Sequence, residues 1–434
     1  MPPLVASALM GYGHLRAAWP LADALGTGVA RVDQPPLAGA EEERLWRAAR
    51  WLYEMASRTS QVPLVGAPLR ALLESLTKIP HLHPRRDLSA STLQVHSLDR
   101  LIRKGLGAGL AARLKASGAP LLTTYFAAAV LAEHHGCERI YCVVTDVDLN
   151  RVWVPRHSRQ TRIVYLTPSR RALERLLSYG VPRGQIELTG FPLPLELLGG
   201  PELPALRRNL AGRLVRLDPK GVFREQARNE IRSFLGAPLA ADQEQRPPLA
   251  TFSIGGAGAQ AETARPLLSG LAPLIRDGRL RLCLAAGARP EVAARFHQWV
   301  REAGLEEWLG RGVCIFLAAG LDDYFRAFNE LLGETDVLWT KPSEMTFYAA
   351  LGIPLVLAPP VGFHERYNRR WAVGNGAGLE QPIARHAGQR LAGWLSEGSL
   401  AAAAWYGFMR LPKFGTYQIL DRLARDRGGK ESAG

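Results

Sequence analysis

DVLWTKPSEMTFYAALGIPLVLAPPVGFHERYNRRWAVGNGAG, residues 336–378, carries the pattern that decides the fold. Residues 336–340 (DVLWT) form a short apolar run that stops at Lys341-Pro342-Ser343-Glu344, as a buried parallel strand does. Ser343 then opens a helical stretch over 344–351, which Gly352 and Pro354 end. Residues 354–359 (PLVLAP) read as a second buried strand, followed by a polar loop, Gly362-Phe363-His364-Glu365-Arg366-Tyr367-Asn368. A strand–helix–strand unit with its polar residues gathered after the strands belongs to an open α/β sheet, whose ligands bind beyond the carboxyl ends of the strands. The amide groups at the start of the Ser343 helix suit an anion such as a phosphate.

The same alternation recurs on both sides. Residues 4–9 (LVASAL) predict a first strand, which runs through Met10-Gly11-Tyr12-Gly13-His14 into a helix over 15–25. Gly11 and Gly13 let the backbone turn sharply and approach a ligand. His14 after them is either a capping or core histidine or a residue of a binding cleft. Strands follow at 120–125, 139–145, 162–167 and 185–189, and the second of these delivers Thr145-Asp146 at its carboxyl end. A further series opens at 250–254 (ATFSI), passes through the glycine loop Gly255-Gly256-Ala257-Gly258, and continues with strands at 280–286 and 313–317. Two βα series in 434 residues imply two Rossmann-like domains. The divisions are 1–195, with a helical insertion over about 41–118, a connector over 196–247, a second domain over 248–410 and a tail over 411–434.

Hydrophobic content of 47% and charged content of 22% are those of a globular protein. A net charge of +14 calls for an anionic partner. The basic residues are spread out, with no zinc finger and no RNA-binding signature, so a membrane surface or a phosphate-bearing ligand ranks above nucleic acid. Residues 41–57 place Leu45, Ala48, Leu52 and Met55 on one helical face, Arg44, Arg47 and Arg50 on the other, and Trp46, Trp51 and Tyr53 near the borders. That arrangement suits either a membrane interface or packing on the helix's own domain. The four cysteines, Cys137, Cys142, Cys283 and Cys314, form no CxxC pair and read as reduced core residues of a cytosolic protein. The amino terminus lacks the pattern of a signal peptide, and no apolar run approaches the ~20 residues of a spanning helix. His81 and His83 have no third ligand type nearby, and no DxD-type pair stands in a suitable context, so no metal site is expected.

One longer motif specifies more than fold class. After Val144-Thr145-Asp146, a strand and a helix, residues 180–192 read GVPRGQIELTGFP. This run, with Thr340-Lys341-Pro342-Ser343 and His364-Glu365-Arg366-Tyr367-Asn368, resembles the GT-B glycosyltransferases of the MurG and monogalactosyldiacylglycerol synthase type. The resemblance implies an α/β GT-B fold, two Rossmann-like domains facing a central cleft, with the last helix crossing back to the first domain. It implies an inverting, metal-independent transfer from a nucleotide-sugar, foremost a UDP-sugar, to an acceptor hydroxyl, a lipid-linked acceptor among the candidates. The nucleotide-sugar is the co-substrate, and no separate cofactor is called for. His14 and Asp146 become the catalytic candidates, beside an acceptor-side loop at Gly11 and Gly13. Donor contacts fall on Gly255, Gly256, Gly258, Thr340, Lys341, Ser343, Glu344, His364, Glu365 and Asn368. A cytoplasmic protein, peripheral to the inner face of the membrane, is the corresponding location. Two positions depart from the pattern: Ala349 stands where a ribose-binding Glu is usual, and Pro194 where an Arg is. These departures keep two alternatives open, a non-catalytic GT-B protein and a nucleotide-sugar epimerase or hydrolase.

Overall fold

The computed structural model describes residues 1–47, 79–236, 246–254, 261–360 and 362–431. The chain divides into two compact units. Unit 1 comprises Met1–Leu193, Val361–Asn368 and Phe414–Gly434, and unit 2 comprises Pro194–Pro360 and Arg369–Lys413.

Unit 1 is built on β1 (Leu4–Ser7), β2 (Ala30–Arg31), β3 (Leu121–Thr123), β4 (Ile140–Val143), β5 (Val164–Thr167) and β6 (Ile186–Leu188). All pairings are parallel, in the order β2-β1-β3-β4-β5-β6. Alternate residues feed two cores, as the period of a strand requires. Val5, Leu122, Tyr141 and Val143 face the helix Gly13–Ala24 and, through Ile419 and Leu423, the helix Gly415–Glu431. Ala6, Leu121, Ile140 and Cys142 join Ile102, Leu110 and Leu131 from the helices Leu93–Arg103, Ala108–Ser117 and Phe126–His134. Glu187 pairs with Arg422 and Arg425, and Tyr141 hydrogen-bonds Asp426, which pins the last helix to this sheet.

Unit 2 carries β7 (Leu249–Ser253), β8 (Arg281–Gly287), β9 (Val313–Leu317), β10 (Val337–Thr340), β11 (Leu355–Leu357) and β12 (Gly378–Glu380). The order is β12-β11-β10-β7-β8-β9, again all parallel. The chain runs outward from β7 to β9, then returns to lay β10 on the other side of β7. That makes β7 and β10 the strands of a topological switch point. In unit 1 the equivalent reversal falls between β1 and β3. The helix Pro204–Arg216 belongs to unit 2 and is bolted to it by Arg213, which is buried. Its guanidinium donates to the carbonyl oxygens of Thr335 at 2.7 Å, Leu351 at 2.9 Å and Leu332 at 2.9 Å. Nearby, buried Asp336 accepts from Arg216 and Arg246 at 2.7 and 2.6 Å and from the Leu249 amide at 2.8 Å.

Three expectations change. Residues 362–368 are not a loop, because the helix Phe363–Gly374 begins there. Phe363, Tyr367 and Trp371 recur every fourth residue, so one helical face is aromatic despite the polar residues between them. In the 41–57 segment the described part, through Arg47, buries Trp46, expected at the border, at 5% exposure and leaves Leu45, expected on the apolar face, 41% exposed. Trp46 packs edge-on against Tyr125, with ring centroids 5.9 Å apart. The remainder of that segment lies outside the described residues. Cys314 is exposed, whereas Cys137, Cys142 and Cys283 are buried. Among the described residues no helix is long and apolar enough to cross a membrane.

Candidate functional site

In unit 1 the site grows from the end of β1. Gly11, at φ +100°, takes the left-handed conformation that turns the chain into the helix Gly13–Ala24. His14 therefore sits on that helix's first turn. Its Nδ1 lies 2.7 Å from the carbonyl oxygen of Thr124, just past the end of β3. A carbonyl only accepts, so Nδ1 carries the hydrogen and the neutral ring keeps its lone pair on Nε2. Thr124 is locked in return. Its Oγ1 donates to the His14 carbonyl oxygen at 2.7 Å and lies 3.0 Å from Ser7 Oγ. The Tyr125 ring meets the imidazole edge-on at 5.1 Å and Trp153 lies at 6.1 Å, which fixes the ring plane.

The loop after β4 supplies the second group. Thr145 Oγ1 lies 3.5 Å from His14 Nδ1, and Asp146 follows it. Asn368 holds this loop in place, donating to Asp146 Oδ1 and accepting from the Val147 amide, both at 2.9 Å. Asp146-Val147-Asp148 has DxD spacing, yet each carboxylate has its own protein partners. Asp148, fully buried, accepts from Arg175 Nε at 2.8 Å and from Arg171 Nε at 2.6 Å. Such a pair offsets its desolvation only through several charge-assisted bonds, and Arg175 adds one more to Asp148 at 3.1 Å. Arg171 in turn lies 4.1 Å over the Tyr367 ring. Ser169 ties the loop to the next helix, donating to the Val147 carbonyl at 2.9 Å and capping Arg170–Ser178 through the Ala172 amide at 3.1 Å.

In unit 2 the carboxyl ends of β7 and β10 lie side by side, with Ser253 paired to Thr340. Thr340 Oγ1 donates to the Ser253 carbonyl at 3.3 Å. After Lys341 and Pro342, Ser343 leads into a 3-10 helix, Glu344–Leu351. The Ser343 amide is already engaged by the Lys341 carbonyl at 2.8 Å, so it is not among the groups open to an anion. Among the described residues, three hydroxyls here are buried without a hydrogen-bond partner: Ser253 Oγ, Ser343 Oγ and Thr346 Oγ1. Buried polar groups are nearly always paired, so three such hydroxyls in one small region make it a candidate ligand site.

The sequence-derived candidates thus fall into two groups. His14, Gly11, Gly13, Asp146, His364, Glu365 and Asn368 belong to unit 1, with Glu365 and Asn368 buried. Thr340, Lys341, Ser343 and Glu344 belong to unit 2. Gly255, Gly256 and Gly258 lie outside the described residues. Ala349 is buried, and its carbonyl lies so close to Gly407 that a Cβ there would come within 2.3 Å of it. Ala349 is therefore a core residue whose backbone meets the helix Ser399–Arg410. Pro194 is buried at the start of unit 2. Sequence reasoning missed Thr124, Ser253, Thr346 and the Asn368 clamp. The first two stand at strand ends, where the switch-point rule would have pointed had the strand order been known. Among the described residues no group of three or more His, Cys, Asp or Glu side chains gathers as a metal site.

A family described as "Domain of unknown function (DUF6938)" matches residues 239–417. No curated protein matches the chain. Among solved structures, the S. aureus MnaA–UDP co-structure is similar over 98% of this chain and 96% of its own, at 11% identity and a TM-score of 0.50. MurG of Acinetobacter baumannii is similar over 98% of this chain and all of its own (100%), at 13% identity and a TM-score of 0.48. UDP-GlcNAc 2-epimerase from Neisseria meningitidis bound to UDP-GlcNAc covers the same shares, 98% and 100%, at 13% identity and 0.47. Two parallel six-stranded sheets with flanking helices make the architecture that of a GT-B protein, two Rossmann-like units in one chain.

Proposed function

We propose that the protein is an inverting glycosyltransferase that takes a nucleotide-sugar, foremost a UDP-sugar, at the switch point of unit 2 and uses His14 as base for the acceptor hydroxyl. The observation that carries this reading is the trio of unpartnered buried hydroxyls, Ser253, Ser343 and Thr346. A buried hydroxyl left unpaired costs about 1–3 kcal/mol, and the oxygens of a diphosphate accept from all three. The shared fold with a protein whose structure was solved with UDP supports the nucleotide. Lys341, beside Ser343, brings positive charge to the leaving group. His14 Nε2 takes the acceptor's proton as the acceptor oxygen attacks the anomeric carbon. The bond from that carbon to the diphosphate oxygen breaks, and the nucleoside diphosphate leaves with the electron pair. Asp146, clamped by Asn368, is the second candidate for the base and is aligned by the loop that brings Thr145 to His14.

A nucleotide-sugar epimerase or hydrolase makes the same two demands, a held nucleotide and one base at the sugar. A shared fold with a protein solved with UDP serves that reading equally. Calorimetric titration with UDP, GDP, ADP, CDP and dTDP tests the common part. UDP binding is expected, weakened at least about tenfold in Ser343→Val/Thr346→Val, since each lost charge-assisted bond is worth about 1.5–3 kcal/mol. Absence of binding by every nucleoside diphosphate overturns the proposal. Incubation with UDP-sugars then separates the chemistries: an altered or released sugar without acceptor selects the epimerase or hydrolase, and dependence on an added acceptor selects the transferase.

A further inference from the structure

Cys283 on β8 and Cys314 on β9 are direct partners across two neighbouring parallel strands. Directly paired residues project from the same face of a sheet, and neighbouring strands run about 4.8 Å apart. Disulfides span Cα separations of about 4.4–6.8 Å, so the backbone already holds the two residues within bridging reach. Each thiol shifts the other, Cys283 upward and Cys314 downward. The pair is also asymmetric: Cys283 is buried, while Cys314 is exposed on β9, the outermost strand of its sheet. Neither residue takes part in the sites described above.

We propose that Cys283 and Cys314 form a reactive dithiol that closes to an intramolecular disulfide when the protein meets a peroxide. Cys314 is the attacking sulfur. Its thiol is lowered from the ordinary range, first by the hydrogen bond from Cys283 and then, against some burial, by the guanidinium of Arg281. The Cys314 thiolate attacks one oxygen of hydrogen peroxide, an S–O bond forms, the O–O bond breaks, and the departing hydroxide is protonated to water. The Cys283 sulfur, losing its proton, then attacks the sulfenic sulfur, the S–S bond forms, and the S–O bond breaks to release a second water. Two thiols and one peroxide thus give one disulfide and two waters, the two sulfurs together losing two electrons. The buried resolving thiol beside the exposed one makes the second step intramolecular, which protects Cys314 from further oxidation.

The test uses the whole protein with hydrogen peroxide, followed by thiol counting, intact mass and peptide mapping under non-reducing conditions. Of the four cysteine thiols, two are expected to disappear with a mass loss of two hydrogens. The map should show the Cys283 peptide joined to the Cys314 peptide, with Cys137 and Cys142 still free and the change reversed by dithiothreitol. In Cys314→Ser, whose substitution is at an exposed position, peroxide should leave Cys283 reduced. In Cys283→Ala, Cys314 should instead stop at its oxygen adducts, gaining mass. Oxygen adducts on Cys314 in the wild-type chain, a disulfide between two chains, or four thiols surviving an excess of peroxide would each overturn the proposal.

Discussion

The short bond from His14 Nδ1 to the Thr124 carbonyl decides the chemistry of the neutral ring by fixing its tautomer. His14→Asn keeps a donor near the place of Nδ1 and removes Nε2. Transfer should fall by about 10²–10⁴, the usual range for general base catalysis, while UDP affinity and melting temperature stay close to wild type. Single-turnover rates set beside calorimetric affinity check this, and an unchanged rate excludes His14 as the base. Asn368 gives a second residue-scale prediction. Asn368→Leu leaves the buried Val147 amide unpaired and frees Asp146, so stability should drop by about 1–3 kcal/mol in urea unfolding. Transfer should fall as well if the 145–146 loop positions the acceptor, and a variant with lower stability but full activity would separate the two roles. The glycines around His14 make it a candidate legible in the sequence. Its partner is not legible, because a backbone carbonyl has no residue type. The Asp146–Asn368 bond joins positions 222 residues apart, which no local pattern encodes.

At the scale of elements, the strand–helix–strand unit of residues 336–359 is as the sequence predicts, but what anchors it comes from elsewhere in the chain. Arg213 serves the carbonyl end of the helix Leu321–Glu334 through Leu332, the approach to β10 through Thr335, and the end of the 3-10 helix through Leu351. Helix ends leave carbonyls without partners, and burying them unpaired is costly. Arg213→Met should therefore destabilise unit 2 by about 3–5 kcal/mol, with Arg213→Lys recovering only part, since a point charge cannot match the guanidinium's fan of donors. A lower urea midpoint at constant slope is the expected reading; a shift under about 0.5 kcal/mol contradicts the anchoring role. The long buried strands were readable because apolar runs bounded by Gly and Pro leave few alternatives. β2 and β12, two and three residues long and largely half-exposed, carry no such run and were not read. The helix Phe363–Gly374 was hidden by its charged residues, although its aromatic spacing of four was present. Ala349 read as a lost ligand contact, and only the fold shows that it is a buried core residue.

For the molecule as a whole, the excess of 54 Lys and Arg over 40 Asp and Glu suggests an anionic partner, yet part of it is spent inside. Arg151, Arg175 and Arg213 are buried, where they bond carbonyls and carboxylates. The titrating groups that shape overall stability lie instead on the alkaline side. Burial foremost raises the phenols of Tyr141, Tyr165 and Tyr179 and the thiols of Cys137 and Cys142, and the hydrogen bond with Cys314 followed by burial raises Cys283. The folded state holds these protons where the unfolded chain releases them. The stability they contribute is complete below the ordinary values of 9.0 for Cys and 10.0 for Tyr, and is lost as pH rises beyond them. Lys413 works the other way. Burial lowers it to about 8 from 10.5, so the unfolded chain binds more protons between those values and stability rises with pH there. Its full effect is no more than about 3 kcal/mol, and Nζ offsets part of that by donating to the Phe408 and Leu411 carbonyls. The six raised groups outnumber the lowered ones, Lys413 with the Cys314 thiol and the Arg213 and Arg151 guanidiniums, and predict that the melting temperature falls from about pH 9 upward. Lys413→Met removes the opposing contribution: the variant should melt higher than wild type at pH 7, lose that advantage by pH 10.5, and fall more steeply between. Calorimetry of both proteins from pH 7 to 11 checks the sign of each part. A wild-type melting temperature that climbs through pH 10 would place Lys413, rather than the buried phenols and thiols, in control of the alkaline edge.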